Sequence, residues 1–341
     1  MRFKAGFVGC GLVVTLVSGA LAIRSASFDA VAYDPASILG PDECAECHAS
    51  EVAAWRASAH ATSFKDLTTR DETLEMAERL GIERVRTASE CVSCHYTSQA
   101  DHGAQTMRSI AGVSCELCHG AADEWIDIHY DYGLGVTREM ESAEHRDQRI
   151  RDSIDAGFNH PDQLYDVVRN CFACHLGPNE NIVNVGGHSP GSRMELLAWT
   201  QGEVRHNFAH GGRENLESSV ETRRRMFVLG QCLELAGALQ GITGASGKGR
   251  YVAAHVARIK QARATLTAIS EACDVPQVDQ ILEILAGVKV SLANKPALSE
   301  AATAIDGLAQ EFSRDVDGAS LDCIDFMLPD ASKYVGTPVG G

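Results

Sequence analysis

The pattern Cys-x-x-Cys-His occurs four times in this chain, at 44–48, 91–95, 115–119 and 171–175. Two thiols at that spacing can add to the two vinyl groups of one haem, and the imidazole that follows binds the iron from one face. Cys44, Cys47, Cys91, Cys94, Cys115, Cys118, Cys171 and Cys174 therefore read as attachment points for four covalently bound haem c groups. His48, His95, His119 and His175 read as the proximal iron ligands. Structural zinc and thioredoxin-like redox pairs also use Cys-x-x-Cys. Neither requires a histidine directly after every second cysteine.

The sixth iron ligand has to come from elsewhere in the chain. His60 lies twelve residues beyond His48, about 18 Å along a helix, so it must serve an iron other than the one His48 binds. His129 follows the third motif among aromatic neighbours, and His145 sits in the charged stretch after it. His188 occupies a Gly-Gly-His-Ser-Pro loop, and His206 stands one helical turn before His210. These five, His60, His129, His145, His188 and His206, are the distal candidates. His102 and Met107, inside the 19-residue linker between the second and third motifs, and His160, before Pro161, are weaker ones. So short a linker, containing Gly103 and Gly112, leaves no room for a domain and keeps the second and third haems close.

The elements that position these residues read as helices. Val52, Trp55 and Ala59 form one apolar stripe ending at His60. Residues 64–89 are helical and charged, with Leu67, Leu74, Met76 and Leu80 as the buried side and Gly81 as the stop. Met194 to Phe208 reads as a helix carrying Leu196, Leu197, Trp199 and His206. Beyond residue 212 only His255 remains of the 13 histidines, so the haem-binding part ends there. Four amphipathic helices follow, at about 214–240, 249–272, 276–293 and 297–313, with Pro276 and Pro296 at helix starts. Short connections between them imply an antiparallel bundle, alone or packed on the haem module. The expected class is mainly α, with little strand: a tetrahaem module over 41–212 and a helical domain over 213–335. Cys232 and Cys273 fall on apolar faces as core residues, and the twelve cysteines, eight of them in motifs, argue against a disulfide framework.

Four phrases in order, CAECHASEVAAWRASAH, CVSCH, GVSCELCHG and CFACH, make residues 41–176 similar to the tetrahaem cytochrome c-554 family. The resemblance implies a largely helical fold around closely packed haems with mostly His/His ligation. It implies distal histidines at His60 and near His129. It also implies one iron without a sixth ligand, here the one on Cys91, Cys94 and His95. After residue 176 this chain departs from the family pattern.

The formal charge of −16 excludes nucleic acid as a partner and suits docking on basic surfaces. Arg2 and Lys4, an uncharged run to Ile23 and Ala30-Val31-Ala32 read as a signal peptide over 1–32, or as a retained membrane anchor, which places the folded part in the periplasm. The expected partners are soluble or membrane-bound redox proteins that present a basic face, with a homodimer through the helical domain as a further association. The expected function is electron relay through bis-His haems. The alternative is reduction of nitric oxide, nitrite or hydroxylamine at a five-coordinate haem.

Overall fold

A computed structural model describes Phe28 and residues 33–340, apart from 102, 104, 105, 178, 192, 193, 210 and 211. The stretch read as a signal peptide, apart from Phe28, lies outside the described residues, as do His102 and His210. Among the described residues thirteen α-helices appear in chain order, most of the early ones short. These are α1 (Pro41–Ala45), α2 (Ala49–Ala57), α3 (Ala59–Asp66), α4 (Asp71–Leu80), α5 (Ser89–His95), α6 (Cys115–His119), α7 (Ala143–Asp155), α8 (Leu164–His175) and α9 (Leu196–Thr200). Four longer elements follow: α10 (Val220–Gly244), α11 (Arg250–Ala272), α12 (Pro276–Gly287) and α13 (Lys295–Asp315). Among the described residues strand is confined to two small antiparallel pairs, β1 (Thr97–Gln99) with β2 (Arg108–Ala111) and β3 (Phe208–Ala209) with β4 (Glu214–Asn215). The mainly α class holds.

The expected bundle helices are present, with α12 ending at Gly287 rather than near 293. α10 is apolar on every side: Phe227, Val228, Leu229, Cys232, Leu233, Leu235, Ala236, Leu239 and Ile242 are all buried. A helix that is hydrophobic all round belongs inside a core, and α10 packs on α11, α13, α8 and α9. It is also long and apolar enough to cross a membrane, but that apolar surface is mostly buried within the fold. One continuous core therefore joins Leu164, Val168, Phe172 and Leu176 of α8, and Leu196 of α9, to the bundle. The core crosses the boundary expected at 212, so the bundle is the wall against which the fourth motif is built.

Two readings of the bundle need correction. Cys273, at the end of α11, is not simply a core residue but is bonded to Cys323, with Cα atoms 5.8 Å apart. Periodicity could place Cys273 on a buried face but could not see a partner 50 residues away. Cys232 is a buried free thiol, as expected. The second correction concerns residues 194–208, where helix persists only from Leu196 to Thr200. The Ala198 carbonyl accepts from the Val335 amide at 2.9 Å, and the Val335 carbonyl accepts from Glu203 at 2.8 Å. The returning C-terminal segment takes the hydrogen bonds that would have extended the helix.

Around the motifs, α4 ends on left-handed Gly81 as expected. Leu74 of that helix is exposed, however, and Ala77 is the residue that enters a small cluster with Val85 and Tyr96.

Candidate metal centre

Each motif is built on a short helix or the turn that follows it. His95, His119 and His175 are the last residues of α5, α6 and α8, and His48 follows α1 by one turn. The i, i+3 spacing of the two cysteines sets both thiols on one side of a helical turn. Among the described residues, no group of three or more His, Cys, Asp or Glu side chains is arranged to hold a metal ion.

The four motif histidines each face one other histidine. Ring centres are 6.3 Å apart for His48 and His129, 6.1 Å for His175 and His60, 6.1 Å for His95 and His188, and 6.2 Å for His119 and His206. An imidazole nitrogen binds a first-row metal at about 2 Å and lies about 1.1 Å from its ring centre, so two rings on opposite faces of one iron should sit about 6.2 Å apart. All four pairs have that spacing. The cofactor that the motifs imply therefore fits the side chains present. Interplanar angles from 27° to 86° are compatible, because each ring turns freely about its bond to the metal.

The proton state of the rings also suits a metal. Burial holds His95, His119 and His175 down to about 4, with neighbouring imidazoles adding to the effect, and it lowers His60 and His129. Neutral rings keep a lone pair for the iron. In several of them a backbone carbonyl also fixes which nitrogen carries the proton. Nδ1 donates to Ser189 in His188 at 2.6 Å, to Val204 in His206 at 2.8 Å and to Asn159 in His119 at 3.2 Å. His129 makes the same bond to the Ile126 carbonyl. With Nδ1 bonded in this way, Nε2 is the nitrogen left to bind metal.

Remote residues hold the distal rings in place. Trp55 Nε1 donates to the Val113 carbonyl at 2.7 Å, while the Val113 amide donates to the His60 carbonyl at 3.0 Å. A Cβ on Gly112 would stand 2.1 Å from that same His60 carbonyl, so only glycine admits the approach. The Trp-Arg-Ala-Ser-Ala-His and Gly-Val-x-Cys phrases are thus two faces of one contact. His188 hangs from a π-helical turn (Ile182–Gly186). Arg79 of α4 secures that turn by donating to the Gly186 carbonyl from Nε at 2.9 Å and Nη2 at 2.7 Å. Sequence reading assigned α4 no role in the site, and a single Arg in a charged helix gave no signal of one. His206 lies on extended chain braced by Asn215, whose side chain accepts from Asn207 at 2.8 Å and donates to the Arg205 carbonyl at 2.7 Å. Glu116, inside the third motif, is buried and accepts amides from Leu39, Gly40 and Ala122 at 2.9, 2.7 and 3.0 Å. Burial raises its pKa, and those three bonds oppose the rise.

The other described candidates form no ring pair with a motif histidine. His145 is exposed and bonds Glu141 at 2.7 Å. His160 packs on Phe158 and Asp162, and Met107 points outward at 57% exposure. His95, the ring for which the family resemblance implied an open iron, faces His188 instead.

The motifs also have an order in space. The Cys44 and Cys115 thiols are neighbours, and so are those of Cys94 and Cys174. Cys118 and Cys171 are charge neighbours, and α6 packs on α8. Reading along these contacts gives motif one, three, four, two. Within the linker between motifs two and three β1 pairs with β2, with Thr97 opposite Ala111, and Thr97 Oγ1 donates to Ser114 Oγ at 2.9 Å. The nearest thiol neighbour of motif two nevertheless belongs to motif four.

Thiol pairs beside paired imidazoles in a mainly helical frame define a c-type cytochrome, a protein of covalently held haem c and electron transfer. Residues 43–120 match the family described as cytochrome c554 and c-prime, a segment that carries the first three motifs, His60 and the Trp55–Val113 contact. No curated protein and no solved structure gives a match to the chain.

Proposed function

We propose that this protein relays electrons between redox partners in the periplasm through four haem c groups, each closed by two histidines. The observation that carries this reading is the set of four ring pairs at 6.1–6.3 Å. Bound haem iron supplies the one-electron chemistry by cycling between two oxidation states. The chain's own residues do the rest: cysteines fix the group, paired imidazoles close both faces, and in His119, His129, His188 and His206 a backbone carbonyl holds the ring proton on Nδ1. A closed iron exchanges electrons without room for substrate, which favours relay over reduction of a small nitrogen compound. The order one, three, four, two supplies a row with motifs one and two at its ends. The Cys273–Cys323 bond supports an oxidising compartment, since disulfides do not persist in an ordinary reducing cytosol.

The test is the intact mass of the exported holoprotein under denaturing conditions, with a potentiometric titration alongside. Four haem masses per chain and four one-electron waves are expected. Fewer than four covalent haems, or turnover of nitrite or hydroxylamine at rates matching electron delivery, would overturn the proposal.

A further inference from the structure

At the motif-one end of the row His48 opposes His129, and the loop that follows His129 is unusual. From Tyr130 to Met140 the chain turns apolar side chains outward: Tyr130 is 50% exposed, Met140 61%, and Leu134 and Val136 project as well. Clustered apolar side chains in water mark a contact surface more often than scattered ones do. The loop is tied to the metal-binding ring. The Tyr130 ring lies 5.3 Å from that of His129, and its hydroxyl donates to Asp127 at 2.9 Å. Arg149 pairs with both oxygens of Glu141 at 2.7 Å and also donates to the His129 carbonyl, so one guanidinium anchors the loop's base and the ligand segment together. The same stretch carries the exposed carboxylates of Asp123, Glu124, Asp127, Asp131, Glu139 and Glu144, and Arg138 is the one Lys or Arg between 123 and 144.

We infer that this face docks a redox protein whose own metal edge opens in an apolar recess ringed by lysines or arginines. The inference rests on the relay reading and names where the relay meets its partner. The apolar tip excludes water at the contact, and the carboxylate rim steers the approach. That rim selects against a second copy of this chain, whose identical carboxylates would meet like charge, and against an anionic membrane.

The test uses the holoprotein in stopped flow, with a reduced basic monohaem cytochrome c as the probe. One variant combines Leu134→Ser with Met140→Ser, and another Asp127→Asn with Asp131→Asn. Each should slow the second-order rate by about tenfold, the carboxamide pair with a shallower salt dependence. Reduction by dithionite should be unchanged, because it needs no docking. Phe326→Ser, at another exposed apolar residue, should leave the rate alone. Wild-type rates in both loop variants, an equal loss in Phe326→Ser, or a dimer in sedimentation that Leu134→Ser abolishes would overturn the docking site while leaving relay intact. A wild-type protein that dithionite reduces but the probe does not would overturn the relay reading itself.

Discussion

The residues that decide what this site does include some that touch no metal. Arg79 holds the turn carrying His188 through two bonds to one carbonyl. Arg79→Met should leave the other three ring pairs intact and give a fractional high-spin signal of up to one iron in four. His188→Ala should give that signal in full, with nitric oxide bound at one haem. Absorption and magnetic resonance spectra of the two variants would check both. His255 presents a different case. It is buried against Tyr251 with no hydrogen-bond partner on either ring nitrogen, and burial, with Arg258 nearby, lowers its pKa to about 4. The folded state thus favours the neutral ring. Its contribution is full above the unfolded value near 6.5 and is lost as pH falls from there towards 4, an effect of about 3 kcal/mol. Replacing it by leucine should flatten the fall in stability across that window. Denaturant unfolding at pH 7 and pH 4.5 checks this, and an unchanged pH slope would contradict it.

At the scale of elements, the bundle and the motif helices form one packed body. α10 buries all its faces because it lies between α8 on one side and α11 and α13 on the others. The disulfide ties the end of α11 to the 3-10 segment Gly318–Met327 after α13 and closes a loop of 50 residues. By loop-closure entropy, Cys323→Ser should cost about 4 kcal/mol, less any strain relieved. Because the core is continuous with α8, the loss should appear in a single unfolding transition that also releases the fourth ring pair. Two separated transitions would contradict the shared core. Elements with strong local signals were legible in the sequence: the helix carrying Val52 and Trp55, the Gly81 stop and the four bundle helices. What was not legible came from distant chain. Val335 ends α9, Arg79 reaches Gly186, and Cys323 finds Cys273. No local periodicity encodes a partner 50 or more residues away. The distal histidines stood between these limits. Histidine is scarce enough here that His60, His129, His188 and His206 could be nominated from sequence, but only folding could pair each with its motif and send His145 to the surface.

For the molecule as a whole, the excess of acid over base sets how it meets others. A formal charge of −16, increased by haem propionates, should make electron exchange with basic partners fast at low ionic strength. Exposed charges are screened beyond about 10 Å at 0.1 M salt. The bimolecular rate with a basic cytochrome should therefore fall steeply between 10 and 300 mM salt, and a flat profile would remove electrostatic steering from the account. The central claim is that every iron is closed by two histidines, the second-motif iron among them. Low-temperature electron paramagnetic resonance of the fully oxidised holoprotein tests it most directly. Four low-spin ferric signals integrating to four spins per chain, with no high-spin component, are predicted. A high-spin signal near one spin per chain, abolished by nitric oxide, would show an open iron and contradict the closed relay.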